Sequence, residues 1–130
     1  MTARYAPLFL LSAHAAVADT SSALSDLAKQ LHFARSQPTG AKLNLSCPKN
    51  LEAMVGTSRG TLTVTLGRAD YSDARSADEE YPGSEYWTYF LTAPRIQKPD
   101  EITDGGGFPE VSFVFDKHGR VVHVSCYLAR

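Results

Sequence analysis

Glu110 to Leu128 reads EVSFVFDKHGRVVHVSCYL, and this stretch sets the fold class. Val111, Phe113 and Phe115 alternate with polar residues before the turn, and Val122, Val124, Cys126 and Leu128 alternate after it. A period of two in aromatic and β-branched residues is the pattern of strands with one buried face. Asp116-Lys117-His118-Gly119 supplies the turn between them, so an antiparallel hairpin is expected. His123 and Tyr127 fall on the side of the second strand opposite Val122 and Val124. A sheet made this way needs a second layer to cover its apolar face.

Upstream, Glu85–Ala93 (EYWTYFLTA) reads as another strand, with Trp87, Tyr89 and Leu91 on one face and Tyr86, Thr88 and Phe90 on the other. Long polar segments, Gly67–Gly83 and Pro94–Pro109, flank this strand and read as loops. The second contains Gly105-Gly106-Gly107, a bent or flexible approach to the hairpin. Thr61–Leu66 (TLTVTL) supports two readings. Strict alternation of β-branched residues argues for a strand, which local propensity favours, whereas Thr57 or Ser58 as a cap with Leu62 and Leu66 four apart argues for a helix. Before it, Pro48–Val55 is expected to be a short helix with Leu51, Met54 and Val55 inward and Gly56 as its stop. Gln37–Asn44 is a connector. Asp19–Ser36 has cap candidates at Thr20, Ser21 and Ser22, and Leu24, Leu27, Leu31 and Ala34 recur at helical spacing.

The first residues resemble an export signal. Arg4 precedes an apolar run, Pro7–Val17, and Ala16-Val17-Ala18 before Asp19 fits a small-residue cleavage site. A periplasmic or secreted location is therefore expected; the alternative is a cytoplasmic protein with an alanine-rich first helix. Cys47 and Cys126 fit an exported protein with one disulfide. Such a crosslink would add about 4.5 kcal/mol through the entropy of the unfolded chain. In a reducing compartment the same residues would be two buried thiols.

At 130 residues the chain is one domain's worth of material. No run reaches the roughly 20 apolar residues of a membrane span, so direct membrane insertion is not expected. The net charge is −1, with no basic block, which argues against nucleic acid as a partner. The charge is uneven, however. Ala69–Glu110 holds ten acidic residues against three basic ones, a local −7, while the rest of the chain carries +6.

Motifs for catalysis are incomplete. Gly56-Thr57-Ser58-Arg59-Gly60 matches G-x-S-x-G, but that pattern needs a strand before the serine and a large parallel sheet beneath it. Ser58 is more simply a helix cap, and a small serine hydrolase ranks last. Asp100-x-x-x-Asp104-Gly105 has Ile102 and Val111 where a calcium loop needs oxygen ligands. The four histidines match no zinc spacing. No metal, cofactor or enzymatic activity is expected.

Gly56-Thr57-Ser58, Leu62, Leu66-Gly67 and Asp70, then Trp87-x-Tyr89 and Phe113-x-Phe115-Asp116-x-x-Gly119-Arg120-Val121, occur in an order and spacing with a known counterpart. From about Cys47 to Leu128 the chain resembles the small barrel-assembly lipoproteins (BamE, also SmpA or OmlA) and their β-lactamase-inhibitor-like relatives. It departs from them at Ala69, where the family has proline, and in lacking a lipidated cysteine. The resemblance implies an α+β fold: two short helices packed on a three-stranded antiparallel sheet, here with an additional N-terminal helix. It also implies a helix at 58–66. The domain plan is then a signal segment at 1–18, a helix and connector at 19–46, and the α+β module at 47–130.

Members of that family bind proteins, and their shared residues are caps, core positions and turns. The expected function is a non-enzymatic, inhibitor or immunity-type protein of the bacterial envelope. Its acidic segments Asp70–Glu85 and Asp100–Glu110 would meet a basic cleft on a secreted enzyme or toxin. The expected partner-binding residues are Tyr71, Asp73, Asp78, Glu79, Glu80, Tyr81, Tyr86, Asp104 and Phe108. An envelope-assembly or scaffolding factor of the same fold is the alternative.

Overall fold

The structure is a computed structural model, in which residues 5–75, 84–95 and 109–127 are described. Helix α1 runs Tyr5–Arg35, a single 3-10 turn follows at Leu51–Met54, and helix α2 spans Arg59–Leu66. Four strands follow: β1 Tyr71–Arg75, β2 Ser84–Phe90, β3 Glu110–Phe115 and β4 Val121–Tyr127. They form one open antiparallel sheet in the order β1-β2-β3-β4. The fold is thus α+β, with two helices packed against an antiparallel sheet. Among the described residues no helix is long and apolar enough to cross a membrane.

One hydrophobic core joins the layers. Leu24, Leu27 and Leu31 of α1 meet Met54, Leu62 and Leu66, and all pack on Tyr89, Val111, Phe113, Phe115, Val121 and Val124. Aromatic pairs stack the sheet side of this core edge-on, Trp87 with Phe115 at 4.8 Å and Tyr89 with Phe113 at 5.8 Å. The helix of 19–35 therefore shares the core of the sheet.

The ambiguous stretch at 58–66 is a helix. Ser58 sits in extended backbone and its hydroxyl accepts from the Thr61 N–H at 3.2 Å, a true N-cap. A strand would have turned Leu62, Val64 and Leu66 to one side. The helix buries Leu62 and Leu66 and leaves Val64 88% exposed, so the middle member of the alternation contributes nothing to the core. Thr63 and Thr65 donate their hydroxyls to the carbonyls of Arg59 and Thr61, which occupies side chains of poor helix propensity.

Four expectations need correction. The sheet has four strands, because Tyr71–Arg75 inside the expected loop pairs with β2, Tyr71 opposite Thr88. This short edge strand is polar (YSDAR), so it carries no alternation to detect. In β4 the pairing shifts between Val114 and Phe115, a bulge that turns Val121 into the core and leaves Val122 37% exposed. Pro48–Val55 forms only the 3-10 turn, and Val55 is exposed rather than inward. Finally, α1 begins at Tyr5, upstream of the expected Asp19.

The helical layer is joined to the sheet at both ends of β4. At one end Gly56 N–H donates to Val121 O (2.8 Å), Val121 N–H to Thr57 O (2.9 Å), and Arg59 N–H to Gly119 O (3.2 Å). At the other, Cys47 and Cys126 form a disulfide across a sequence separation of 79. Arg59 also lies over the Phe115 ring and pairs with Glu85 at 2.8 Å.

Gly119 has φ +76°, and a Cβ there would stand 2.6 Å from Arg59 Nη1. Gly119→Ala is therefore expected to destabilise by more than about 1 kcal/mol, through strain and displacement of Arg59. Val64→Ala should stabilise by about 0.5 kcal/mol, since it removes only a β-branched side chain from an exposed helix position. Urea denaturation of the two variants gives both signs. Burial also pushes the Tyr89 phenol up to about 12, with Arg35 opposing and Asp70 adding to the shift. The folded state holds this proton more tightly than the unfolded chain, so its contribution is complete below the unfolded value near 10. It is lost as pH rises toward 12, and the alkaline loss of stability should shrink in Tyr89→Phe, measured by thermal melts between pH 8 and 11.

Candidate protein-binding face

The sheet has two unlike faces. Alternation sends Trp87, Tyr89, Val111, Phe113 and Phe115 toward the helices. Their neighbours along each strand project from the opposite side, and the register places Tyr86 beside Val114, Thr88 beside Ser112 and Phe90 beside Glu110. On β4, His123, Ser125 and Tyr127 continue this outer face. Its centre is close-packed, since Thr88 is only 2% exposed and shares a 2.9 Å hydrogen bond with Ser112.

Three of the expected binding residues meet here. Tyr71 and Asp73 of β1 and Tyr86 of β2 share the outer face, and the Tyr71 and Tyr86 rings pack at 5.7 Å, tilted 48°. Asp73 is exposed. The expected residues Asp78, Glu79, Glu80 and Tyr81, and likewise Asp104 and Phe108, lie outside the described residues. The anchors of their segments are described. One segment joins Arg75 to Ser84, and the other follows Arg95 and re-enters at Pro109, next to the Phe90–Glu110 pair. These anchors stand at opposite ends of β2, roughly 20 Å apart at about 3.3 Å per residue.

The acidic excess is partly internal to the fold. Asp70 accepts from Phe90 N–H at 2.8 Å and pairs with Arg35 at 3.4 Å. Arg35 also donates to Leu66 O and Arg68 O, so it closes the C-terminal end of α2. Glu85 takes Arg59 and the Trp87 indole N–H on one oxygen. Both carboxylates bounding the first acidic segment are therefore matched by arginines from the helical layer, and Asp73 is a described acid of that segment left exposed on the sheet.

A second concavity escaped sequence reading. Between α1 and α2 runs a groove of about 600 Å³ whose lining includes Leu24, Ala28 and Val55. Ser21, Ser25, Thr61, Thr65 and Arg120 also line it. Its only sequence signal is small residues four apart on each helix, at 21 and 25 and at 61 and 65. Ser58 borders the groove, but its hydroxyl serves the helix cap, bonding Thr61 N–H and the Thr61 hydroxyl. Among the described residues no three His, Cys, Asp or Glu side chains converge as a metal site requires.

Comparison with known proteins gave no match: no family model, no curated protein and no solved structure is similar to the chain.

The outer tyrosines lie outside the core, and this has a measurable consequence. Tyr71→Ala should cost less than about 1 kcal/mol, the worth of one cross-strand pair. Phe113→Ala, which opens a cavity among fully buried side chains, should cost about 3–5 kcal/mol. Chemical denaturation of the two variants separates the face from the core.

Proposed function

We propose that the chain is a non-enzymatic protein-binding module of the bacterial envelope, of the inhibitor or immunity type. The observation that carries this reading is the outer face itself. It holds a packed Tyr71–Tyr86 pair beside an exposed aspartate, in a stretch of the sequence that carries most of its acidic residues. Tyrosine offers large contact area at low entropic cost, and such residues dominate binding energy where they are centred and desolvated. Complementary charge raises the association rate and rejects wrong partners.

The partner fitted by this chemistry is a secreted enzyme or toxin with a basic cleft. Asp78, Glu79, Glu80 and Asp104 would supply charge, and Tyr71, Tyr81, Tyr86 and Phe108 contact area. The Cys47–Cys126 bond supports an oxidising compartment, periplasmic or extracellular. The order of motifs resembling barrel-assembly lipoproteins and β-lactamase-inhibitor-like proteins supports a binding role for the same scaffold.

Affinity capture from periplasmic and membrane fractions of the native host, with residues 19–130 as bait, tests this. A single stoichiometric soluble protein released by salt is the expected result. Recovery of barrel-assembly components would replace the inhibitor reading with the assembly one. With the partner in hand, charge reversal at Asp78, Glu79 and Glu80 should slow association at least tenfold at low ionic strength and flatten its salt dependence. Unchanged kinetics would remove the acidic segments from the interface.

A further inference from the structure

The described packing of α1 starts well inside the helix. Thr20 donates its hydroxyl to Ala53 O at 2.7 Å, and Ala23, Leu24, Leu27, Leu31 and Ala34 follow as buried residues. The helix itself starts at Tyr5, with no acidic residue in its first turn.

Asp19-Thr20-Ser21-Ser22 therefore occupies the interior of a helix, where these residue types are out of place. Their short polar side chains compete for backbone hydrogen bonds within a helix, and the same side chains are preferred where a helix begins. Four in succession have the composition of a helix start. Directly before them, Ala16-Val17-Ala18 sets small residues at the third and first positions ahead of the Ala18–Asp19 bond, and the apolar run Pro7–Val17 leads up to it. A cleavage pattern and a helix-start pattern thus meet at one peptide bond.

We infer that a leader peptidase of the export route cuts the Ala18–Asp19 bond, and that Asp19 becomes the N-cap of the mature α1. Water adds across the amide: the C–N bond breaks, hydroxyl goes to the Ala18 carbonyl carbon and a proton to the Asp19 nitrogen. The mature chain keeps every buried residue of the described core, since the first of them is Ala23. Thr20 stays anchored to Ala53, which holds it as the first helical residue and leaves Asp19 at the cap. The Asp19 carboxylate then accepts from the N–H of Ser21 or Ser22, and its charge suits the positive end of the helix dipole and the new α-amino group. In the uncut chain the same carboxylate has neither role, because interior N–H groups are bonded to carbonyls of the preceding turn. The cut rests on the envelope reading above and adds the step that frees the mature chain.

The test starts from the full chain made in a host with the export route. The envelope product, read by intact mass and N-terminal sequencing, should begin at Asp19. Ala18→Arg should abolish the cut and leave a product that begins at Met1. Asp19→Ala is then melted in two forms, the envelope product and the uncut chain made in the cytoplasm and oxidised after purification. Loss of a cap should lower the Tm of the product by about 3–6 °C. Replacement of an interior aspartate by alanine should raise the Tm of the uncut chain by about 2 °C.

An envelope product that begins at any residue other than Asp19 would overturn the cut and leave the envelope reading standing. Recovery of the wild-type chain from the cytoplasm alone would overturn both. A correct cut, with Asp19→Ala moving the two melting temperatures in the same direction, would overturn the cap.

Discussion

The joint between Gly56–Arg59 and Gly119–Val121 holds the helical layer to the sheet, and the remaining contacts depend on it. Short backbone hydrogen bonds there pin the start of α2 against the turn that begins β4. Once Ser58 is fixed as the cap, α2 can turn only one face down, and Leu62 and Leu66 reach the aromatic side chains of β2 and β3. Gly119 at this point needs a left-handed backbone and no side chain, since Arg59 crosses directly over it to Phe115 and Glu85. The sequence that imitates a nucleophile elbow is in this protein the hinge pin between two layers.

A pair of arginines extends the same logic across α2. Arg59 ties the beginning of the helix to β2 through Glu85, and Arg35 ties its end to the β1 entry through Asp70. Half-exposed pairs of this kind contribute little stability, under about 1 kcal/mol each. Their effect is positional: they link the two ends of α2 to the strands beneath. They also divide the acidic excess into carboxylates that brace the fold and carboxylates that do not. Asp73 belongs to the second kind, and it stands beside the tyrosine pair.

The outer face and the β1 edge meet at this residue. Helices cover one side of the sheet, the 56–58 segment lies along β4, and β1 is a polar strand. The disulfide and the joint hold β4 at both ends, so the sheet presents its outer face from a braced scaffold.

Local pattern sufficed where one periodicity had no competitor. The hairpin of β3 and β4, the inward faces of β2 and α1, the turn at Asp116–Gly119 and the cysteine pair were all legible, because alternation, helical spacing and cysteine count each admit few structures. The tyrosines and the acidic bias were legible too, though not their distribution. Residue pattern alone favoured a strand at 61–66, and only the motif resemblance pointed to the helix that forms there. Tertiary contacts decide it physically, because a capped helix buries Leu62 and Leu66 against the sheet at the cost of exposing one valine. They also created β1, whose polar residues have no intrinsic strand signal and become a strand only by pairing with β2. The bulge that exchanges Val121 for Val122 and the arginines that neutralise Asp70 and Glu85 are likewise properties of neighbours. Sequence by itself determined which residues seek the core; only the packed structure decided which groups were left over at its edge, since exposure is fixed by what lies alongside.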